Sequence, residues 1–139
     1  MRRQDKYPDT AVFHYYNANP KNRFTGDCVV RALTVALEIP YEEILMELVD
    51  IQLKQGYSAT SKEAYSRLLA NHGWEKQKQP RTIYNTKLTG KEFCELIAEP
   101  GKRYFAHVGG HHVAAIVDCK VWDNWDSTAD CIGNYWAKG

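Results

Sequence analysis

Cys28 follows the turn Thr25-Gly26-Asp27 and opens an apolar-periodic run of Val29, Ala32, Leu33, Ala36 and Leu37. That places it in the first turn of a helix, with Asp27 or Gly26 as N-cap. Unpaired backbone N–H groups and the positive end of the helix dipole favour a thiolate there, and the thiolate is the nucleophilic form of cysteine. About eighty residues later, Gly109-Gly110-His111-His112 leads into a stretch closing on Trp122-Asp123-Asn124-Trp125-Asp126. It reads as a tight β-hairpin with a histidine at one end and carboxylates at the other. A nucleophile at a helix start, a base on a strand and an orienting acid on the next strand are the parts that activated-cysteine chemistry needs.

The loop length of that hairpin decides which side chains can meet. With Asp118 and Cys119 as a two-residue loop, His112 lies opposite Trp125 and Asp123 is its diagonal neighbour on the same face; a three-residue loop puts Asp126 opposite instead. Either register offers His112 a carboxylate. Strand parity favours His112 over His111 as the inward residue, since Ala114 and Ile116 share its face. His107 reads as structural or as part of a rim. His14, in the aromatic run Phe13-His14-Tyr15-Tyr16, lacks a neighbouring acidic strand. Asp27 opposes a thiolate at Cys28 by charge, less so if its carboxylate turns toward the helix N–H groups.

These residues need a scaffold of helices followed by strands. After a polar N-terminal arm (1–24), the periodicity predicts helices from Asp27 to Glu38, Pro40 to Lys54 (with Pro40 at N1), Ser61 to Asn71, and Gly90 to Ala98 capped by Thr89. Tyr41, Ile44, Leu45, Leu48 and Ile51 form the core stripe of the second helix, and His72 caps the third by meeting its last carbonyls. Residues 74–86 read as an exposed connection with one short strand at Arg81–Tyr84. Beyond Pro100-Gly101 the period changes from 3.6 to 2 and predicts strands Arg103–Val108, His112–Val117, Lys120–Asp126 and Ile132–Trp136. The expectation is one α+β domain over 1–139: a helical part (25–98) packed on one face of a C-terminal antiparallel sheet (102–139).

Composition limits the function classes. With 139 residues, 44% hydrophobic and 25% charged, the chain has the make-up of a single globular domain with a substantial core. A net charge of +1 gives no overall footprint for nucleic acid, although Lys76, Lys78, Arg81 and Lys87 form a local basic cluster. Cys28, Cys94, Cys119 and Cys131 include no Cys-x-x-Cys pair, so neither a metal nor another cofactor is expected, and Cys94 reads as a half-buried structural thiol. No apolar signal core or membrane span is visible, which points to the cytoplasm and reduced thiols.

The order Cys28, His112, Asp123, with the cysteine heading the first main helix, resembles the papain-like cysteine peptidase superfamily. Members carry a glutamine six residues before the cysteine that helps build the oxyanion hole; Asn22 stands six residues before Cys28. They also carry Asn-Ser-Trp after the histidine strand, to which Asp123-Asn124-Trp125 is similar. The Asp27-Cys28 pair resembles the peptidase domains that trim bacteriocin leader peptides. Asp27-Cys28-Val29-Val30-Arg31-Ala32 and Asp123-Asn124-Trp125-Asp126 together resemble small papain-like proteins of phages and bacteria carrying Asp-Cys-x-x-Arg-Ala and Asp-x-Trp-Asp. The chain departs from the pattern in having Asn for Gln at 22, a shorter length and a shorter hairpin.

The resemblance implies a papain-like fold and a Cys28-His112-Asp123 triad. Asn22 would serve the oxyanion hole, Trp125 would cover the His–Asp contact, and Asp126 and Asp27 would support the site. It also implies a peptide or protein substrate met in the cytoplasm, the host's if the chain is phage-encoded. The thioester would be resolved by water in a peptidase or isopeptidase, or by an amine in an acyltransferase. Other readings are a binding module with the site idle, and a nucleic-acid accessory protein in which the 76–87 segment joins Arg2, Arg3 and Lys6 in one patch. Exposed apolar runs are too few to argue for a dimer, and the oligomeric state stays open.

Overall fold

The computed structural model describes residues 2–139. Among them the elements run α1 (Arg3–Lys6), β1 (Phe13–Tyr15), α2 (Cys28–Leu37), α3 (Tyr41–Gln55), α4 (Lys62–Asn71), β2 (Trp74–Gln77), α5 (Gly90–Leu96), β3 (Arg103–Val108), β4 (His112–Val117), β5 (Lys120–Asp123) and β6 (Ile132–Lys138). The boundaries have local causes. Ser61 caps α4 through Ala64 N–H, Thr89 and Glu92 form a reciprocal capping box on α5, and Gly56 ends α3 in the left-handed conformation at φ 81°. None of the helices among the described residues is long and apolar enough to cross a membrane.

The six strands form one mixed sheet in the order β1-β5-β4-β3-β6-β2. The expected antiparallel ladder holds for β3, β4, β5 and β6, but β1 joins parallel to β5, with Phe13 beside Val121 and Tyr15 beside Asp123. The polar arm is therefore a sheet edge: Phe13 is wholly buried and serves as its anchor. At the other edge, β2 pairs with β6 through Trp74, earlier than the strand expected at 81–84, where only an isolated Arg81–Lys87 bridge occurs. Trp74 is buried whereas Ile83 and Tyr84 are exposed, which explains the displacement.

Helices cover both faces, not one. On one side α2, α3 and α4 bury Phe105, Val113, Ala115, Val117 and Trp136; on the other, Phe93 and Cys94 of α5 cover Tyr104, Ala106, Ile116, Val121 and Ile132. Val113 to Val117 are accordingly buried on both parities, as in a sheet enclosed between two layers. Pro40 stands at the cap of α3 rather than inside it. His72 caps α4 as expected, its backbone N–H meeting the carbonyls of Leu68 and Leu69 at 3.2 and 3.1 Å, and its side chain also bonds Glu47 of α3 at 2.8 Å. Helix α1 was not expected, β5 ends at Asp123, three residues short of the expected limit, and β6 runs on to Lys138. Leu45, expected in the core stripe of α3, is exposed, because Ile44, Leu48 and Ile51 fill the inward face.

Candidate active site

The hairpin resolves the register. Asp118 and Cys119 both take positive φ, 50° and 62°, as a two-residue turn compatible with strand twist requires, and Val117 pairs with Lys120. Asp123 therefore lies diagonally across from His112, and its Oδ2 is 2.5 Å from His112 Nε2. Asp126 is turned elsewhere: its Oδ1 accepts from Thr128 N and Oγ1 at 2.9 and 2.6 Å. Trp125 continues past the strand end and packs its ring 4.8 Å from the His112 imidazole, tilted by 49°.

Helix α2 delivers the thiol to the same place. Cys28 is its first residue and is half-buried beside His112, where α2 crosses β4. Burial pushes the Cys28 thiol up. The His112 hydrogen bond, the Val113 backbone N–H and the positive charges of His112 and Arg31 outweigh it and hold the thiol below its ordinary value. For His112 burial pushes down, but hydrogen bonds with Asp123 and Cys28 and their negative charges raise it to about 9. Opposite shifts in two neighbouring groups move both toward a thiolate–imidazolium pair.

Arg31, which the sequence marked only as part of the Asp-Cys-x-x-Arg-Ala pattern and gave no role, is central to the site. It is 7% exposed and stands one turn after Cys28, with Nε 2.7 Å from Asp27 Oδ1 and Nη1 2.5 Å from Asp123 Oδ1. Asp123, 3% exposed, thus has one oxygen on His112 and the other on Arg31 and the Asn124 N–H. The i,i+4 spacing of Asp27 and Arg31 was a readable signal for half of this clamp. The other half joins residues 92 positions apart and has no local signal.

Asp27 does not cap α2 with its side chain. Its carboxylate accepts from Arg31, Asn19 Nδ2 at 2.9 Å and the Tyr41 hydroxyl at 2.7 Å. Burial pushes Asp27 up, and these partners more than offset it, so the group is held ionised. Its charge is matched by Arg31, which removes the expected penalty on a thiolate at Cys28. Tyr41, hydrogen-bonded to Asp27 and partly buried, is pushed up to about 12. Asn22 lies on the exposed loop before α2, at φ 54°, its side-chain oxygen accepting from Asn17 at 3.3 Å and its side-chain N–H groups left to donate.

The thiol borders a gap too small to admit a water molecule, lined by Tyr16, Ala18, Val35, Val113 and Trp122. No group of three His, Cys, Asp or Glu side chains among the described residues is placed to hold a metal ion. All four cysteines are free thiols; burial raises Cys94 to about 12. The basic residues do not converge: Lys76 lies on β2, while Arg3 bonds the Asn124 carbonyl at 2.7 Å beyond the far strands of the sheet. No family model, no curated protein and no solved structure matches this chain.

Proposed function

We propose that the chain is a cysteine-dependent acyl hydrolase of papain-like type, a peptidase or isopeptidase. The observation that carries this reading is the chain of contacts from Cys28 to His112 to Asp123, with the thiol lowered and the imidazole raised toward an ion pair. The Cys28 thiolate attacks the substrate carbonyl carbon and forms a tetrahedral oxyanion, which the Cys28 backbone N–H at the helix start and the Asn22 side-chain amide receive. As the C–N bond breaks, His112 gives its proton to the leaving amine and a thioester remains on Cys28. Water, deprotonated by His112, then attacks the thioester; the acid departs and the thiol is restored. Asp123 holds the imidazole by Nε2, which leaves Nδ1 for the proton transfers.

Iodoacetamide labelling followed by mass spectrometry tests the reading at its first step. At about pH 6, Cys28 is expected to alkylate roughly tenfold or more faster than Cys119 or Cys131, and to slow toward them in His112→Ala. A Cys28 no more reactive than those two, and indifferent to His112, excludes the activated nucleophile. Asn22→Ala is expected to lower turnover of a cleaved peptide or isopeptide by roughly a hundred- to a thousandfold while leaving Cys28 alkylation unchanged.

A further inference from the structure

Helix α3 has apolar side chains on two sides. Ile44, Leu48 and Ile51, at 0%, 0% and 3% exposure, face α2 and α4. Leu45, Met46, Val49 and Leu53 form a second stripe left open among the described residues, Leu45 and Val49 at 40% and 42% exposure and Met46 and Leu53 at 71% and 79%. Apolar side chains clustered at this spacing on a surface mark a contact face rather than scattered exposure.

We propose that this stripe packs against the same stripe of a second copy of the chain, the two α3 helices running antiparallel about a two-fold axis at Val49. The spacing is self-complementary. Leu45 and Leu53 stand four residues either side of Val49, so an antiparallel pairing sets Leu45 against Leu53 of the second copy and Val49 against its own equivalent. The charges select the same direction. Glu42 and Glu43 occupy the first turn and Lys54 the last, so antiparallel packing brings the acids to the lysine of the other copy and opposes the helix dipoles. A parallel pairing would set Glu42 and Glu43 against themselves. Lys54 also lies 3.2 Å from Asp50 of its own helix; both side chains are exposed, so the lysine is shared between Asp50 and the acids of the second copy. The net charge of +1 adds little repulsion between copies. One helix face covers less than the roughly 800 Å² per partner of stable complexes, so the dimer is weak, with a dissociation constant on the order of tens of micromolar. The stripe shares no residue with the face of α3 that packs inward, and the pairing does not depend on the cysteine chemistry.

Sedimentation velocity on the full chain from about 5 to about 500 µM reads the equilibrium directly. The mass is expected to rise from 16.0 kDa toward twice that value. Met46→Glu/Leu53→Glu, at exposed positions that leave the fold intact by circular dichroism, should remain monomeric throughout. Lys54→Glu should weaken association about fivefold or more, and the charge swap Glu42→Lys/Glu43→Lys/Lys54→Glu should return it to near the wild-type value. A wild-type chain that stays at 16.0 kDa across the range overturns the proposal, as does undiminished association in Met46→Glu/Leu53→Glu. Lys54→Glu dimerising as well as wild type overturns the antiparallel arrangement.

Discussion

Asp123 makes the site intelligible at the level of single residues. A carboxylate 3% exposed would be costly alone; Arg31 supplies the opposing charge and His112 takes the remaining oxygen. Arg31→Met leaves Asp27 and Asp123 buried without their cation and is expected to cost about 3–5 kcal/mol of stability in urea unfolding. Arg31→Lys should recover only part of that loss, because an ammonium cannot span both carboxylates as the guanidinium does. The His112 shift sets a pH dependence. Its folded value, about 9, lies above the ordinary imidazole value, so its contribution is full below about pH 6.5 and is lost as pH rises through about 9. The urea-midpoint advantage of wild type over His112→Ala should therefore shrink across that interval. Cys28 runs in the opposite sense: its thiolate contributes fully above the ordinary thiol value and loses the contribution as pH falls through its lowered one.

At the level of elements, the positive φ values at Asp118 and Cys119 close a turn of two residues, and that count decides which acid reaches His112. The residue count was visible in the sequence, but the competing three-residue loop was equally compatible with it, because no local preference weighs Asp123 against Asp126. One glycine inserted between Asp118 and Cys119 should shift the register of β5, move Asp123 off His112 and bring Cys28 alkylation at about pH 6 down to the rate of His112→Ala. The capping signal at Thr89 was local and legible, and Ser61, expected as the first residue of its helix, stands one position outside as the cap. Thr89→Ala should cost about 1 kcal/mol, read as a lower urea midpoint with the sheet intact. Asp27 had the composition of a cap and serves Arg31, Asn19 and Tyr41 instead, because a buried guanidinium is a stronger partner than a backbone N–H.

For the molecule as a whole, the N-terminal arm is part of the sheet that carries the site. Phe13 is completely buried on the face covered by α5, and Tyr16 N–H bonds the Asp123 carbonyl at 2.8 Å. Phe13→Ala should cost about 3–5 kcal/mol and loosen β5, so that Cys28 alkylation slows along with the fall in stability. The amino-acid sequence by itself determined the helices α2 to α5, the antiparallel run β3 to β6 and the two-residue option at the hairpin, since periodicity, caps and turns act over a few residues. It also placed Cys28, His112 and Asp123 on those elements. Only the tertiary structure decided that β1 joins parallel, that α5 lies on the face opposite α2, that Asp123 rather than Asp126 meets His112, and that Arg31 binds both acids. Each of those depends on contacts between groups distant in the chain, where burial and charge pairing outweigh any local preference.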